Sequence, residues 1–155
     1  MITRFLSFSI LFLVLTSAQA KIQVIDDTGR QVSLDGPAQR IVSLAPHLTE
    51  LLFSVGVGSR IVGTSRFSDF PAAAQLIPVL GDAFAVSLES VVALEPDLVV
   101  AWHSGGATNV IEKLRALGIP VYVNEATDLK SIGQSVRRLG ALVGEDALGA
   151  ELDRS

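Results

Sequence analysis

The chain contains 155 residues, with 12 Lys and Arg against 16 Asp and Glu, which gives a formal net charge of −4 at pH 7. An acidic chain repels phosphate backbones, so the charge balance argues against nucleic acid as a partner. The chain has no cysteine, which excludes disulfides, thiol catalysis and cysteine metal sites.

The first twenty residues have the pattern of a secretory signal peptide. Arg4 supplies a positive charge, residues 5–15 form an apolar stretch, and Ala18-Gln19-Ala20 gives the small-x-small cleavage pattern. The apolar stretch is shorter than the roughly 20 residues that cross a bilayer. We therefore predict a cleaved segment at 1–20, export to the periplasm and a mature chain that begins at Lys21.

From residue 21 onward, short apolar runs alternate with segments of helical period. Strands are predicted at 22–25 and 31–34, as a hairpin with turn chemistry at Asp27 and Gly29, and then at 40–44, 60–64, 98–102 and 119–123. Helices are predicted at 46–55, with Pro46 in the first turn, from 70, at 88–94 after Ser87, at 109–117 and at 129–143. This alternation predicts an α/β fold, a Rossmann-like three-layer α/β/α lobe with a mostly parallel sheet.

The end of the sequence has a different pattern. Leu148 and Leu152 stand at helical spacing, but no cap, glycine or strand follows them. We interpret residues 145–155 as the start of a long helix that is cut short. The predicted organisation is a signal peptide at 1–20, an α/β lobe at 21–144 and the start of this helix at 145–155.

The histidines and serines could suggest an enzyme, but their spacing does not favour catalysis. His47 and Glu50 lie three residues apart, but a metal site needs three or four ligands, and a glutamate near a helix N-terminus is ordinary dipole complementarity. The serines lack the Gly-x-Ser-x-Gly elbow of a nucleophile. We therefore predict no catalytic residue and no metal site, and a secreted hydrolase stays only as an alternative.

Aromatic residues are few, and several of them fall at the predicted carboxyl ends of strands. Phe67, Phe70, Phe84 and Trp102 lie at or beside this edge, where open α/β sheets bind their ligands. Aromatic and apolar surfaces suit a large flat ligand. We expect Phe70 in the core and Trp102, which directly precedes His103, at the ligand face.

An ordered set of short motifs resembles the periplasmic substrate-binding proteins that have a rigid helical backbone. The motifs are residues 40–46 with Thr49-Glu50, 62–63, 67–71, 87–89 and 93–99, and the resemblance covers residues 38–150. That family serves ABC importers of cobalamin, haem and iron–siderophores. Residues 67–71 and 99–106 look most like its cobalamin-binding branch.

The resemblance implies residues for a ligand site and for a docking site. Phe67 and Trp102 would line the corrinoid face, Pro46 would lie at the cleft floor, and Phe84 is the nearest candidate for a further aromatic. Glu89 would dock onto arginines of the permease, and helix-dipole stabilisation is compatible with that role. Family members hold the ligand between two lobes, so the single lobe predicted here implies a fragment or a truncated product.

We therefore expect a monomeric, non-enzymatic substrate-binding component of an ABC importer. It would capture cobalamin as transported ligand, use no cofactor, and deliver the ligand to an inner-membrane permease. Haem is an alternative that would want a Tyr or His axial ligand. Tyr122 is predicted within a strand, near the sheet end, and His103 is the only well-placed candidate. An anionic siderophore would want a basic cleft, but few Lys or Arg residues fall near the predicted site, and Arg66 is the exception. A further alternative is an adaptor lobe that binds a protein partner.

Overall fold

The computed structural model describes residues 21–82 and 85–154. The predicted signal peptide and Phe84 therefore lie outside the described residues. The strands are β1 (Ile22–Ile25), β2 (Gln31–Leu34), β3 (Ile41–Ser43), β4 (Ile61–Thr64), β5 (Leu98–Trp102) and β6 (Val121–Asn124). The α-helices are α1 (Pro46–Ser54), α2 (Leu88–Ala93), α3 (Thr108–Ala116), α4 (Leu129–Val143) and α5 (Asp146–Leu152).

Four of the strands form a parallel sheet in the order β4-β3-β5-β6, and β1 and β2 form a separate antiparallel hairpin. β5 explains the arrangement, because Leu98 and Val100 pack on one face and Val99 and Ala101 on the other, all four fully buried. A strand covered on both faces needs an uninterrupted apolar run. The predicted α/β fold with a mostly parallel sheet is confirmed.

Helices cover both faces of this sheet. α1 and α4 contribute Leu48, Leu52 and Leu139 to the core on one face, where the hairpin also packs. α2 and α3 contribute Val91 and Leu114 to the core on the other face. The chain passes from β3 outward to β4 and then back to β5 on the other side of β3. This reversal is the topological switch point, where α/β sheets form ligand crevices at the carboxyl ends of the strands.

The hairpin turn differs from the prediction in its key residue. Asp26, and not Asp27, holds the turn, because its carboxylate accepts from the Thr28 and Arg30 backbone amides at 2.9 Å each. Gly29 supplies the positive φ of 80°. Asp26 is buried and also accepts from Arg115 Nη2 at 2.9 Å, which ties the hairpin to α3. Asp27 turns away from the hairpin towards α4.

The last described helix, α5, packs closely against α4. Gly144 ends α4 with a positive φ of 79°. The two helices then meet at Gly140 and Gly149, where a Cβ on Gly140 would lie only 3.0 Å from the Gly149 Cα. A longer helix beyond residue 145 and the domain division at 144 stay predictions. None of the helices in residues 21–82 and 85–154 combines the length and apolar character that crossing a membrane requires.

Candidate functional site

The four parallel strands end at one edge of the sheet. Their last residues are Ser43, Thr64, Trp102 and Asn124. Because parallel strands point the same way, the segments that follow them meet at this edge. Pro46, Phe67 and Trp102, three of the predicted ligand residues, therefore share one edge of the molecule, although they follow three different strands.

A concave cavity of about 460 Å³ lies at this edge, between the start of α1 and the start of α4. Its lining combines polar and apolar side chains: His47, Glu50, Leu51, Ser54, Trp102, Asn124, Ala126 and Ile132. Of the predicted ligand residues, Trp102 lines the cavity. Pro46 is half-buried directly beside it as the first residue of α1, and Phe67 lies outside the lining.

Trp102 is half-buried. Its indole contacts His47 and the turn that follows β5. The His47 ring stands edge-on to the indole, with centroids 5.7 Å apart and planes at 89°. On the other side, the turn at His103–Gly105 presses against the indole, and a Cβ on Gly105 would lie 3.0 Å from the Trp102 Cε3. Trp102 is thus held in one orientation while part of its surface faces the cavity.

His47 belongs to a hydrogen-bond network that motif analysis did not find. Its Nε2 lies 3.2 Å from the Asn124 Oδ1. The Asn124 amide donates to the Asp27 carboxylate at 3.0 Å, and that carboxylate also binds the guanidinium of Arg138. His47 and Asn124 are 77 residues apart. The one signal in the sequence was Asn124 itself, a polar residue that ends an apolar strand and is buried.

Neither residue considered as a haem ligand lines the cavity, so the expectation that His103 is well placed is corrected. Tyr122 is fully buried in the core, where desolvation and then the negative charge of Asp27 raise the pKa of its hydroxyl. His103 is exposed and lines a different cavity, with Thr28 and Thr108. His103 begins the 3-10 helix that follows β5, so its side chain is placed by that turn.

Phe67 is exposed because its neighbours are anchored. It has a φ of 70° and 71% of its surface is accessible. On one side of it, the Arg66 amide donates to the Gly81 carbonyl at 2.7 Å. On the other side, the buried Ser68 hydroxyl accepts from the Thr49 hydroxyl of α1 at 3.2 Å. The loop therefore presents an aromatic ring to solvent at the end of β4.

Phe70 was expected in the core, and this expectation is wrong, since 68% of its surface is exposed. The predicted helix from residue 70 is a short 3-10 helix at Ala72–Leu76. The loop before it is anchored through Ser68, so Phe70 lies on the outside, away from both core clusters.

A glutamate fixes the loop that follows Trp102. The Glu125 carboxylate accepts from the Ser104 hydroxyl at 2.7 Å and from the Ser104 amide at 3.0 Å. These hydrogen bonds, the hydroxyl foremost, hold the pKa of Glu125 below its usual value. The end of β5 and the end of β6 are thereby joined at the rim of the site.

Glu89 lies apart from the cavity, in the first turn of α2, and is exposed. Ser87 caps this helix as predicted, with its hydroxyl accepting from the Ser90 amide at 3.1 Å. An exposed carboxylate is what a docking contact requires, and the docking itself stays a prediction. Across residues 21–82 and 85–154, no group of three or more His, Asp or Glu is arranged to hold a bare metal ion.

The fold is an α/β lobe with a cavity at the carboxyl edge of its parallel sheet, and Trp102 lines that cavity. The chain matches the family described as periplasmic binding protein over residues 41–153 and belongs to that family. It is 40% identical over 105 residues to the vitamin B12-binding protein of Vibrio campbellii, covering 68% of this chain and 38% of that protein. It is 33% identical over 113 residues to the vitamin B12-binding protein of Vibrio vulnificus, covering 73% and 41%.

Solved structures show the same likeness. The periplasmic vitamin B12 binding protein BtuF of Vibrio cholerae superposes with a TM-score of 0.72 at 31% identity, covering 76% of this chain and 46% of that one. The heme binding protein HmuT superposes with a TM-score of 0.75 at 26% identity, covering 89% and 45%. The chain thus spans less than half the length of these proteins.

Proposed function

We propose that this chain is the N-terminal lobe of the substrate-binding component of an ABC importer, and that it captures cobalamin in the periplasm. The observation that carries the proposal is the position of Trp102 in a concave cavity at the carboxyl edge of the sheet. The proposal is also supported by the resemblance to vitamin B12-binding proteins. Capture buries the ligand against these side chains and release exposes it again, with no covalent bond to the protein.

Apolar burial against a flat macrocycle supplies the binding energy. Each 100 Å² of buried apolar surface contributes about 2.5 kcal/mol, which corresponds to roughly seventyfold in affinity. Trp102 ends β5 and Phe67 follows β4, two strand positions away in the sheet, a separation of about 10 Å. A large flat ligand is wide enough to span this spacing between the two strands, and Pro46, the first residue of α1, follows β3, which lies between them.

Delivery requires a contact with the membrane permease. Glu89 is exposed at the start of α2. Its carboxylate accepts only a long hydrogen bond from the Ser87 hydroxyl, at 3.3 Å, so a cationic partner surface can reach it. The pattern at residues 1–20 supports export to the periplasm, and we expect the lobe to act as a monomer.

Cobalamin titration tests the proposal directly. Trp102 is the only tryptophan, so its fluorescence reports on the cavity alone. Cobalamin should quench it and should release heat in calorimetry with the same midpoint. Binding by this lobe should be weak, because family members hold the ligand between two lobes. A fluorescence signal that stays unchanged up to the solubility limit of cobalamin, together with no heat of binding there, would overturn the assignment.

Haem is a second candidate, favoured by one specific observation. His47 lines the cavity beside Trp102, and an imidazole is a common axial ligand of haem iron. Haemin titration should then give tighter binding than cobalamin in the same calorimeter. Equal or weaker binding of haemin would leave cobalamin as the ligand.

A further inference from the structure

Phe67 stands in a tight turn that its own hydrogen bond holds only weakly. The turn runs from Ser65 to Ser68, and the Ser68 amide donates to the Ser65 carbonyl over a long 3.4 Å. Phe67 is the third residue of the turn and has a φ of 70°, a value that glycine usually supplies at this position. Because a side chain disfavours this region, contacts from outside the turn must keep Phe67 there.

A backbone contact holds the start of the turn, and a side-chain contact holds its end. The Ser65 amide donates to the Ser43 carbonyl of β3 at 3.0 Å. After Phe67, the side chain of Ser68 points inward, with 6% of the residue exposed. The Ser68 hydroxyl lies 3.2 Å from the Thr49 hydroxyl. The position of Phe67 therefore depends on a hydrogen bond made by the next residue in the chain.

Thr49 lies on α1 and is fully buried. Its hydroxyl oxygen lies 2.9 Å from the Ser43 hydroxyl as well as 3.2 Å from that of Ser68. A hydroxyl donates one hydrogen bond and accepts two, so Thr49 can bind both serines at once. It connects the helix that begins with Pro46 to the turn that carries Phe67, and these are two of the predicted ligand residues.

We propose that Thr49 is a positioning residue for ligand capture, whose hydroxyl holds Ser68 and thereby keeps the Phe67 ring in place before the ligand arrives. The inference rests on the proposed function, because there Phe67 contacts the macrocycle. A ring that is fixed in advance loses less conformational freedom on binding. Thr49 has no exposed surface, so its effect on affinity passes through Phe67.

The test separates the hydroxyl of residue 49 from its size. Thr49→Val keeps the branched shape without the hydroxyl, Thr49→Ser keeps the hydroxyl without the methyl group, and Ser68→Ala removes the partner. Each substitution is made in the unmodified chain and again in the Phe67→Ala variant. Cobalamin affinity is measured by titration of the Trp102 fluorescence. Ser68→Ala gives the same comparison if Thr49→Val fails to fold.

Thr49→Val and Ser68→Ala should each weaken cobalamin binding about fivefold in the unmodified chain, the effect of one lost hydrogen bond. Neither should change the affinity of the Phe67→Ala variant, in which the ring is already gone. Thr49→Ser should bind within about twofold of the unmodified chain. Equal losses with and without the Phe67 ring would overturn the positioning role, because the effect would then not pass through Phe67.

Limited proteolysis of the free chain tests the turn without a ligand. Trypsin cleaves after exposed Arg66 when the turn opens, and cleavage after Lys113, exposed on α3, reports on the rest of the lobe. Thr49→Val should raise cleavage after Arg66 about fivefold relative to cleavage after Lys113. An unchanged ratio would overturn the inference. A raised ratio in a chain whose unmodified form binds no cobalamin would overturn the proposed function and leave Thr49 as the anchor of the turn.

Discussion

Phe67 and Ser68 are neighbours in the chain with opposite environments, since 71% of the Phe67 surface is exposed against 6% of Ser68. Ser68 is bound to Thr49 of α1, so the loop is fixed just after the aromatic residue. Phe67 is left in the left-handed region at φ 70°, which costs a residue with a side chain about 1–2 kcal/mol. Strain of this kind often marks a functional position.

Substitutions of Phe67 should separate binding from stability. Phe67→Ala should weaken cobalamin binding in calorimetry and change the free energy of unfolding by less than about 0.5 kcal/mol, because the ring makes few contacts. Phe67→Gly should weaken binding equally but be about 1 kcal/mol more stable than Phe67→Ala in urea unfolding, since glycine relieves the positive φ. Phe70→Ala, equally exposed, is the control and should bind normally. Unchanged binding by Phe67→Ala would contradict a ligand role for this ring.

Substitutions of Trp102 should weaken cobalamin binding in proportion to the apolar surface that they remove. Trp102→Ala removes on the order of 100 Å² of apolar contact and should weaken cobalamin binding about seventyfold. Trp102→Phe keeps an aromatic ring and should lose less. Calorimetry measures both, and circular dichroism verifies that the half-buried position still permits folding. Equal affinities for the two variants and the unmodified chain would place the ligand elsewhere.

The lowered pKa of Glu125 should make the stability of the fold depend on pH. Its pKa is lowered in the folded chain by the Ser104 hydrogen bonds, so its contribution is present above its unfolded pKa of about 4.3 and is lost as pH falls through the lower folded pKa. Glu125→Gln should therefore be less stable than the unmodified chain at pH 7 in urea unfolding. The unfolding free energies of the variant and of the unmodified chain should become equal as pH falls below about 4. A constant difference across this range would exclude the carboxylate as the cause.

Asp27 should be required for stability as well as for the site. Asp27→Ala removes the carboxylate that binds Arg138, the Glu125 backbone amide and the Asn124 amide, which keeps only Ser135 as acceptor. It should cost about 2–3 kcal/mol of unfolding free energy. Asp35→Ala is the matched control, because Asp35 is exposed and its Lys21 contact is 3.9 Å long. It should change stability by less than about 0.5 kcal/mol. Similar losses in the two variants would mean that the network adds nothing specific.

Glu89 should act in delivery and not in capture. Glu89→Lys should leave folding and cobalamin affinity unchanged but reduce vitamin uptake, because a rim charge that steers docking is reversed. The reduction should become smaller at high salt, since surface charges are screened. Glu151→Lys reverses an exposed charge on α5 and serves as control. Normal uptake with Glu89→Lys would leave the helix dipole as the role of this residue.

Local patterns were sufficient to predict the fold. β5 was readable because burial on both faces needs five apolar residues in a row, and Ser87 marked a helix start by its capping hydroxyl and Pro46 by its missing N–H and fixed φ. The site was less predictable. Which of two adjacent aspartates makes the turn, and which reaches Arg138, depends on packing across 111 residues. The His47–Asn124 contact and the exposure of Phe70 likewise depend on tertiary position.

The β1–β2 hairpin lies outside the segment that matches the family but supports the cavity residues. The family match begins at residue 41, whereas Asp27, whose carboxylate orients the Asn124 amide, lies before it. A chain shortened to the matched segment would keep the whole parallel sheet and every residue of the cavity lining. It would nonetheless leave that amide free to rotate, so that His47 could hold its proton on either nitrogen. It would also lose Val32, Leu34 and Ala38 from the core on that face of the sheet. The lobe is therefore a larger unit than the segment that defines its family.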